Sequence, residues 1–231
     1  MAEQRAAELK QVKAEFEKQI AETEMAALRS QMNPHFIFNV LNSINRFILS
    51  NESSVASDYL SRFSRLIRLI LENSKSAKVP LEKDLDALRI YIDMEKLRFQ
   101  NKFTYEITAD ENIDQTFVQV PPLLIQPYVE NAIWHGLMQK ETPGHLYISL
   151  TLMKEDLIKV MIEDNGIGRE KSAALKSKTA VTHKSFGLQI SKDRIRIVNK
   201  LYGVNTQVEV EDLHNGYNEA AGTRINLFIP I

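Results

Sequence analysis

The chain contains no cysteine, which excludes a disulfide framework, thiolate zinc sites and cysteine nucleophiles while leaving the redox compartment open. It has no apolar run approaching the roughly 20 residues needed to span a bilayer. Its polar start, MAEQRAAELKQ, lacks the apolar core of a signal peptide, so as written it reads as soluble. Net charge is nearly absent, with 29 Lys and Arg against 30 Asp and Glu, so no field would hold nucleic acid or an anionic membrane nonspecifically. Internal repeats and low-complexity tracts are missing as well. What remains is ordinary globular composition, 44% hydrophobic and 26% charged over 231 residues, enough for one large or two modest domains with a real core.

Residues 2 to about 30 are rich in Ala, Glu, Lys and Gln, with Leu9, Val12, Phe16, Ile20 and Ala27 recurring at three- and four-residue steps. That pattern predicts a coiled-coil helix leading into the molecule over 1–30. It starts without a capping residue, and the expectation is a helix continuing upstream, from a membrane span. A helical hairpin is expected over 31–78, its first arm marked by Ile37, Val40, Leu41, Ile44 and Ile48, its turn by residues 50–54, and its second arm by Tyr59, Leu60, Phe63, Leu66, Ile67, Ile70 and Leu71. Two such hairpins make a four-helix bundle.

Pro80, after the polar stretch 75–79, is read as a linker and domain boundary. Beyond it the pattern predicts a helix over about 81–99, strands from Phe103 to Ile107 and near Phe117 to Val120, and a helix over about 123–136. Strands at 146–152 and 157–162 follow, then a polar, unpatterned stretch at 169–184, a helix over about 188–202, and strands around Val208 and 225–229. Helices grouped with a mostly antiparallel sheet make an α+β sandwich over 79–231.

Local rules first conflict at Asn33-Pro34-His35. Pro34 stands inside a helical pattern, where it removes a backbone donor and crowds the Ser30 carbonyl, so a kink is expected there. At about 100° per residue, His35, Asn39, Asn42 and Arg46 fall opposite the apolar side, which predicts an exposed His35. A neutral imidazole so placed can attack the γ-phosphorus of ATP when another domain delivers the nucleotide in line. On this segment alone, a surface histidine beside a structural proline is the favoured explanation of the pattern.

Three further segments carry nucleotide chemistry. In Asp164-Asn165-Gly166-Ile167-Gly168, a strand-end carboxylate can accept a hydrogen bond from the adenine amino group, where guanine offers a carbonyl, and the glycines permit close backbone approach. The bland alternative is a plain D-N-G turn. On the preceding helix, Glu130 and Asn131 are followed by His135; the Asn131 amide oxygen suits Mg²⁺ and the His135 imidazole can donate to a phosphate. A polar helix end capped by Gly136 is the alternative there. Ser185-Phe186-Gly187-Leu188 precedes a predicted helix, whose free N–H groups suit phosphate oxygens. Lys178, His183 and Lys184 add positive charge nearby, as a solvated loop also would.

In order and spacing, Asn33-Pro34-His35-Phe36-Ile37-Phe38-Asn39, Glu130-Asn131, Asp164 to Gly168 and Phe186-Gly187-Leu188 resemble the LytS-like sensor histidine kinases. Tyr91-Ile-Asp-Met-Glu95-Lys-Leu-Arg98-Phe99 and Gly222-Thr223 look like that family's pattern too. The resemblance runs from about Leu28 to Ile231. It implies a dimerising phosphoacceptor hairpin followed by a Bergerat-type ATP-binding domain, the sandwich shared with gyrase and MutL. It implies catalytic His35, Asn39 and Glu130, with Asn39 positioning water for dephosphorylation of the regulator. ATP contacts would come from Asn131, His135, Asp164, Gly166, Gly168, Phe186, Gly187, Leu188 and Thr223, and Asn131 would hold Mg²⁺. It further implies a homodimer, a response-regulator partner of the LytTR type, and a cytoplasmic portion of an inner-membrane sensor.

Two positions depart from the pattern of histidine kinases at large. Ser185 stands where the second glycine box usually begins with glycine, and Phe36 follows His35 where the wider group has an acid. Two rivals stay open: a Bergerat ATPase without phosphohistidine, and a degenerate kinase acting as a signalling scaffold.

Overall fold

The computed structural model describes residues 34–178, 199 and 205–231. They fall into two compact units, one up to Phe63 and the other from Ser64 onward. The expected coiled coil over 1–30, the kink next to Ser30 and the helix over 188–202 lie outside the described residues, Asn199 apart.

In the first unit, α1 (Pro34–Leu49) and the start of α2 (Ser53–Asn73) form the expected hairpin. Its turn is a helix stop of the Schellman kind. Asn51 takes φ +59°, and Glu52 N–H donates to the Phe47 carbonyl at 2.8 Å, which satisfies carbonyls that the end of α1 would otherwise leave open. Phe36 meets Phe63 at 6.2 Å between ring centroids, and Phe47 meets Tyr59 edge-on at 5.6 Å. The buried stripe of α1 is therefore Phe36, Val40, Ser43 and Phe47. This corrects the sequence-based face: Leu41 and Ile48, expected inside, are exposed together with Phe38 (65%) and Leu49 (75%). Helix α1 has two apolar stripes, and periodicity alone does not say which is covered.

After the remainder of α2, the second unit continues with β1 (Val79–Pro80), which pairs antiparallel with β3 (Gln119–Val120). The expected linker at Pro80 is thus a short strand, and the strand expected from Phe117 begins only at Gln119, with Phe117 exposed. Helix α3 (Leu81–Arg98) follows, with Glu82 and Asp84 in its first turn and Lys96 and Arg98 in its last, the arrangement that complements the helix dipole.

The main sheet has five strands in the order β2 (Phe103–Ala109), β4 (Gly144–Lys154), β5 (Leu157–Asp164), β7 (Ala220–Pro230), β6 (Gln207–His214). Among the described residues only β2 and β4 run parallel, and the other pairings are antiparallel. Alternation buries one face through Leu146, Ile148, Leu150, Ile158, Val160, Ile162, Ile225, Leu227 and Ile229. The expected α+β architecture is what the unit shows.

Between β3 and β4 the chain runs through α4 (Gln126–Asn131), a π turn (Ala132–Gly136) and a 3₁₀ turn (Leu137–Gln139). The single helix expected over 123–136 is therefore shorter and irregular. Its entry is braced from a distance: Leu123 sits at φ +57°, and its N–H donates to the buried Asp84 carboxylate at 2.7 Å. After β5 comes α5 (Gly168–Lys178), where the sequence reads as a polar loop. The run GREKSAALKSK has no apolar stripe, but its Ala, Lys and Glu are strong helix formers.

Candidate nucleotide site at the end of β5

Along β5 the inward positions are Ile158, Val160, Ile162 and then Asp164. A carboxylate thus ends an apolar row, only 4% exposed. Burial raises its pKa to about 7, opposed by the Gly166 N–H, which donates to Oδ1 at 2.9 Å, and further by Lys140 and the Thr223 N–H, while Glu163 adds to the rise. Thr223 lies opposite Asp164 in the β5–β7 register and is itself buried.

Two glycines close around this carboxylate, and a third packs on the Asp164 main chain. A Cβ on Gly136 would lie 2.5 Å from Asp164 Oδ1, and one on Gly166 would lie 2.7 Å from the same oxygen and collide with the Gly136 backbone. Gly222 takes φ +146°, where a side chain would strike the Asp164 carbonyl. A helix end capped by Gly136 is the alternative to a phosphate-facing segment, and a left-handed cap would need positive φ there. The Gly136 φ of −98° and ψ of −74° are helical in sense instead, so space beside Asp164 is what requires glycine there.

The turn after β5 is stitched to its surroundings. Asn165 exchanges backbone and side-chain hydrogen bonds with His145, accepting from its N–H at 2.7 Å and donating to its carbonyl at 3.2 Å. Lys140 Nζ donates to the Asn165 carbonyl at 2.9 Å, and Ile167 N–H reaches the Gly136 carbonyl at 3.4 Å. Gly168, at φ +75°, then starts α5.

Glu130, Asn131 and His135 are half-buried at the junction of α4 with the π turn. Gln126 Nε2 donates to Glu130 Oε1 at 2.9 Å. The π turn is explicit in the Leu137 N–H, which is shared between the carbonyls of Ala132 and Ile133; such turns recur at functional sites. This turn packs against β5, β7 and α5. Asp164, Gly166, Gly168, Thr223 and the Glu130–Asn131–His135 segment therefore belong to one unit, and Gly136 joins the segment directly to Asp164.

His35 and Asn39 lie on α1 in the first unit, where Asn39 is half-buried and its carbonyl accepts from Ser43 Oγ at 2.8 Å. Ser185, Phe186, Gly187 and Leu188, with His183 and Lys184, lie outside the described residues. Among the described residues there is no cluster of three or more His, Cys, Asp or Glu side chains that would hold a metal ion.

Sequence reasoning missed the roles of Asp84, Glu95 and Arg98. All three sit on the buried face of α3 or beside it, and an acid at an otherwise apolar helical position (Leu81, Asp84, Leu85, Leu88) was the available signal.

By comparison with known proteins, the Histidine kinase family model matches residues 23–103. More particularly, it is similar to LytS-type sensor proteins. The sensor protein LytS of Bacillus cereus is 27% identical over 215 residues, 92% of this chain and 35% of the relative. The sensor histidine kinase/phosphatase LytS of Staphylococcus aureus is 27% identical over 201 residues, 86% of this chain and 34% of the relative. The chain thus spans about a third of the length of the curated relatives it matches. Among solved structures, the histidine kinase domain of an Erythrobacter litoralis blue-light activated kinase is 18% identical, covers 90% of this chain and 93% of its own, and has a TM-score of 0.46.

Proposed function

We propose that the chain is the catalytic portion of a two-component sensor histidine kinase, binding ATP within 79–231, phosphorylating His35 in the hairpin over 31–78, and passing the phosphoryl group to a response-regulator aspartate. The observation that carries this reading is the buried Asp164 carboxylate, walled by Gly136 and Gly166 and joined through Gly136 to the Glu130–Asn131 turn. A space that any Cβ would fill, ending on a carboxylate, suits a flat ring with an exocyclic amino donor. Adenine fits, and guanine sets a carbonyl against the carboxylate.

Asn131 presents the amide oxygen expected to meet Mg²⁺, which keeps several waters and takes few protein ligands alongside phosphate oxygens. When bound, the ion neutralises charge on the phosphates. His135 serves as a donor to phosphate oxygen, and Glu130 is the acid beside that site. Gly168 borders the nucleotide, Phe186, Gly187 and Leu188 are carried over from the sequence resemblance as further nucleotide contacts, and Thr223 holds Asp164 through its backbone N–H. At His35, one imidazole nitrogen attacks the γ-phosphorus, the bond from phosphorus to the β–γ bridging oxygen breaks, ADP leaves, and the other ring nitrogen gives up its proton. Asn39 takes part in dephosphorylating the regulator by positioning water.

The exposed stripe Phe38, Leu41, Ile48 and Leu49 supports a homodimer through paired hairpins. The short coverage of the relatives supports a chain that works as the cytoplasmic end of a longer, membrane-tethered sensor, with a LytTR-type regulator as its partner. Among the described residues no helix is long and apolar enough to cross a membrane.

Titration calorimetry with MgATP tests the nucleotide site. Asp164→Asn replaces an acceptor pair with an amide, and loss of a charged hydrogen bond of about 1.5–3 kcal/mol weakens ATP binding roughly 10- to 100-fold. Equal ATP affinity in the parent chain and the variant contradicts the proposed adenine contact.

A further inference from the structure

Helix α3 buries a polar face that the nucleotide chemistry does not use. Tyr91 and Glu95, 1% and 0% exposed, lie one turn apart, and Arg98 continues the row. A buried acid costs stability unless it is paired and hydrogen-bonded. Glu95 is paired: Arg98 Nη1 lies 3.2 and 3.3 Å from its two oxygens. Burial nevertheless drives the Glu95 pKa upward, against the pull of Arg98.

The guanidinium is clamped as well as paired. It stands 4.6 Å from the Phe99 ring centroid and 4.3 Å from that of Trp134, while the two rings meet edge-on at 5.4 Å. The Trp134 indole N–H donates to the Tyr91 hydroxyl, and the Glu130 charge acts on both Tyr91 and Glu95. Trp134 follows Glu130 by four residues and lies in the π turn immediately after Asn131. A π turn departs from the ordinary i→i−4 ladder, so the rotation of the residues flanking it needs an anchor outside the helix. The α3 network supplies one.

We propose that Arg98, clamped between Phe99 and Trp134 and paired with Glu95, is a positioning residue that holds the Glu130–Asn131 turn in the orientation needed for Asn131 to meet the metal-bound phosphates. The inference rests on the nucleotide reading above. A planar, stacked, forked cation is required, so lysine does not replace it.

The test is calorimetry on the full 231-residue chain with two probes: adenosine, which reaches only the Asp164 end, and ATP at a series of Mg²⁺ concentrations. In Arg98→Lys the Mg²⁺ concentration for half-maximal ATP binding rises about tenfold, as for loss of a group that orients a metal ligand, while adenosine affinity stays at the parent value. Unchanged Mg²⁺ dependence overturns the inference and leaves the nucleotide reading standing. An equal loss for adenosine and MgATP also overturns it, since that is general loosening. If the parent binds neither probe, the nucleotide reading falls and the inference with it. If Arg98→Lys yields no folded chain, the same pair of titrations on Glu95→Gln decides between the same outcomes.

Discussion

Replacing Gly136 with alanine probes the nucleotide site through a single methyl group. The backbone accepts it, since φ is −98° at that residue, so the effect is one of space alone. The added Cβ falls 2.5 Å from Asp164 Oδ1 and 3.0 Å from its Cγ, about 0.9 Å inside ordinary contact at 3.4 Å. Relief requires the carboxylate to turn away from the Gly166 N–H or the π turn to lift off β5. Overpacking of this kind costs about 1–3 kcal/mol of stability, a Tm loss of roughly 2–4 °C per kcal/mol for a domain this size. Displacing the carboxylate also removes a charged hydrogen bond to the base, so ATP affinity falls about 10- to 100-fold. Thermal unfolding and titration calorimetry read the two effects separately. Gly216→Ala is the control, because nothing lies within 4 Å of its Cβ, and it changes neither quantity. Parent-like ATP affinity in Gly136→Ala refutes the placement of adenine at Asp164.

Four further outcomes follow from the structure. Asp164 holds its proton to about pH 7 when folded, against a usual value of 3.8. Its contribution therefore favours folding at low pH and is lost as pH rises from about 4 to 7; unfolding followed across that range shows the decline, and Asp164→Asn flattens part of it. The adenine amino donor prefers the ionised carboxylate, so ATP affinity measured by calorimetry increases as pH rises through 7, and a flat profile contradicts this. Asp84→Ala strands the Leu123 N–H beneath a left-handed backbone and costs about 1–3 kcal/mol in denaturant unfolding. Leu41→Asp with Leu49→Asp charges the exposed stripe of α1, and on the proposed homodimer sedimentation is expected to find the parent chain as a dimer and this variant as a monomer.

The parts of the fold legible in the sequence are those where one face is buried and one is wet. Strand β5 alternates strictly, half-buried and buried, from Leu157 to Asp164, and period-two patterning located it within two residues. Helix α3 was equally plain, bounded by Pro80 and carrying Leu81, Leu85, Leu88 and Ile92 inward. Helix α5 was not, because it stands on helix propensity without an apolar stripe, and the π turn at Ala132–Gly136 leaves no trace in composition. On α1 two apolar stripes competed, and the buried one follows from Phe36 and Phe47 meeting rings on α2. The acidic and glycine-rich positions of the candidate site stand out in the sequence because few chemistries want a carboxylate at the end of an apolar row. Asp84 and Arg98 act across 39 and 36 residues of sequence, on Leu123 and Trp134, distances over which no local pattern speaks.

The most direct test of phosphohistidine chemistry is incubation of the chain with γ-labelled ATP and Mg²⁺ beside His35→Gln, scoring label that is labile in acid and stable in base. Label on the intact chain and none on His35→Gln is the predicted result. Equal labelling of both, or bound ATP with label on neither, contradicts His35 as the phosphoacceptor.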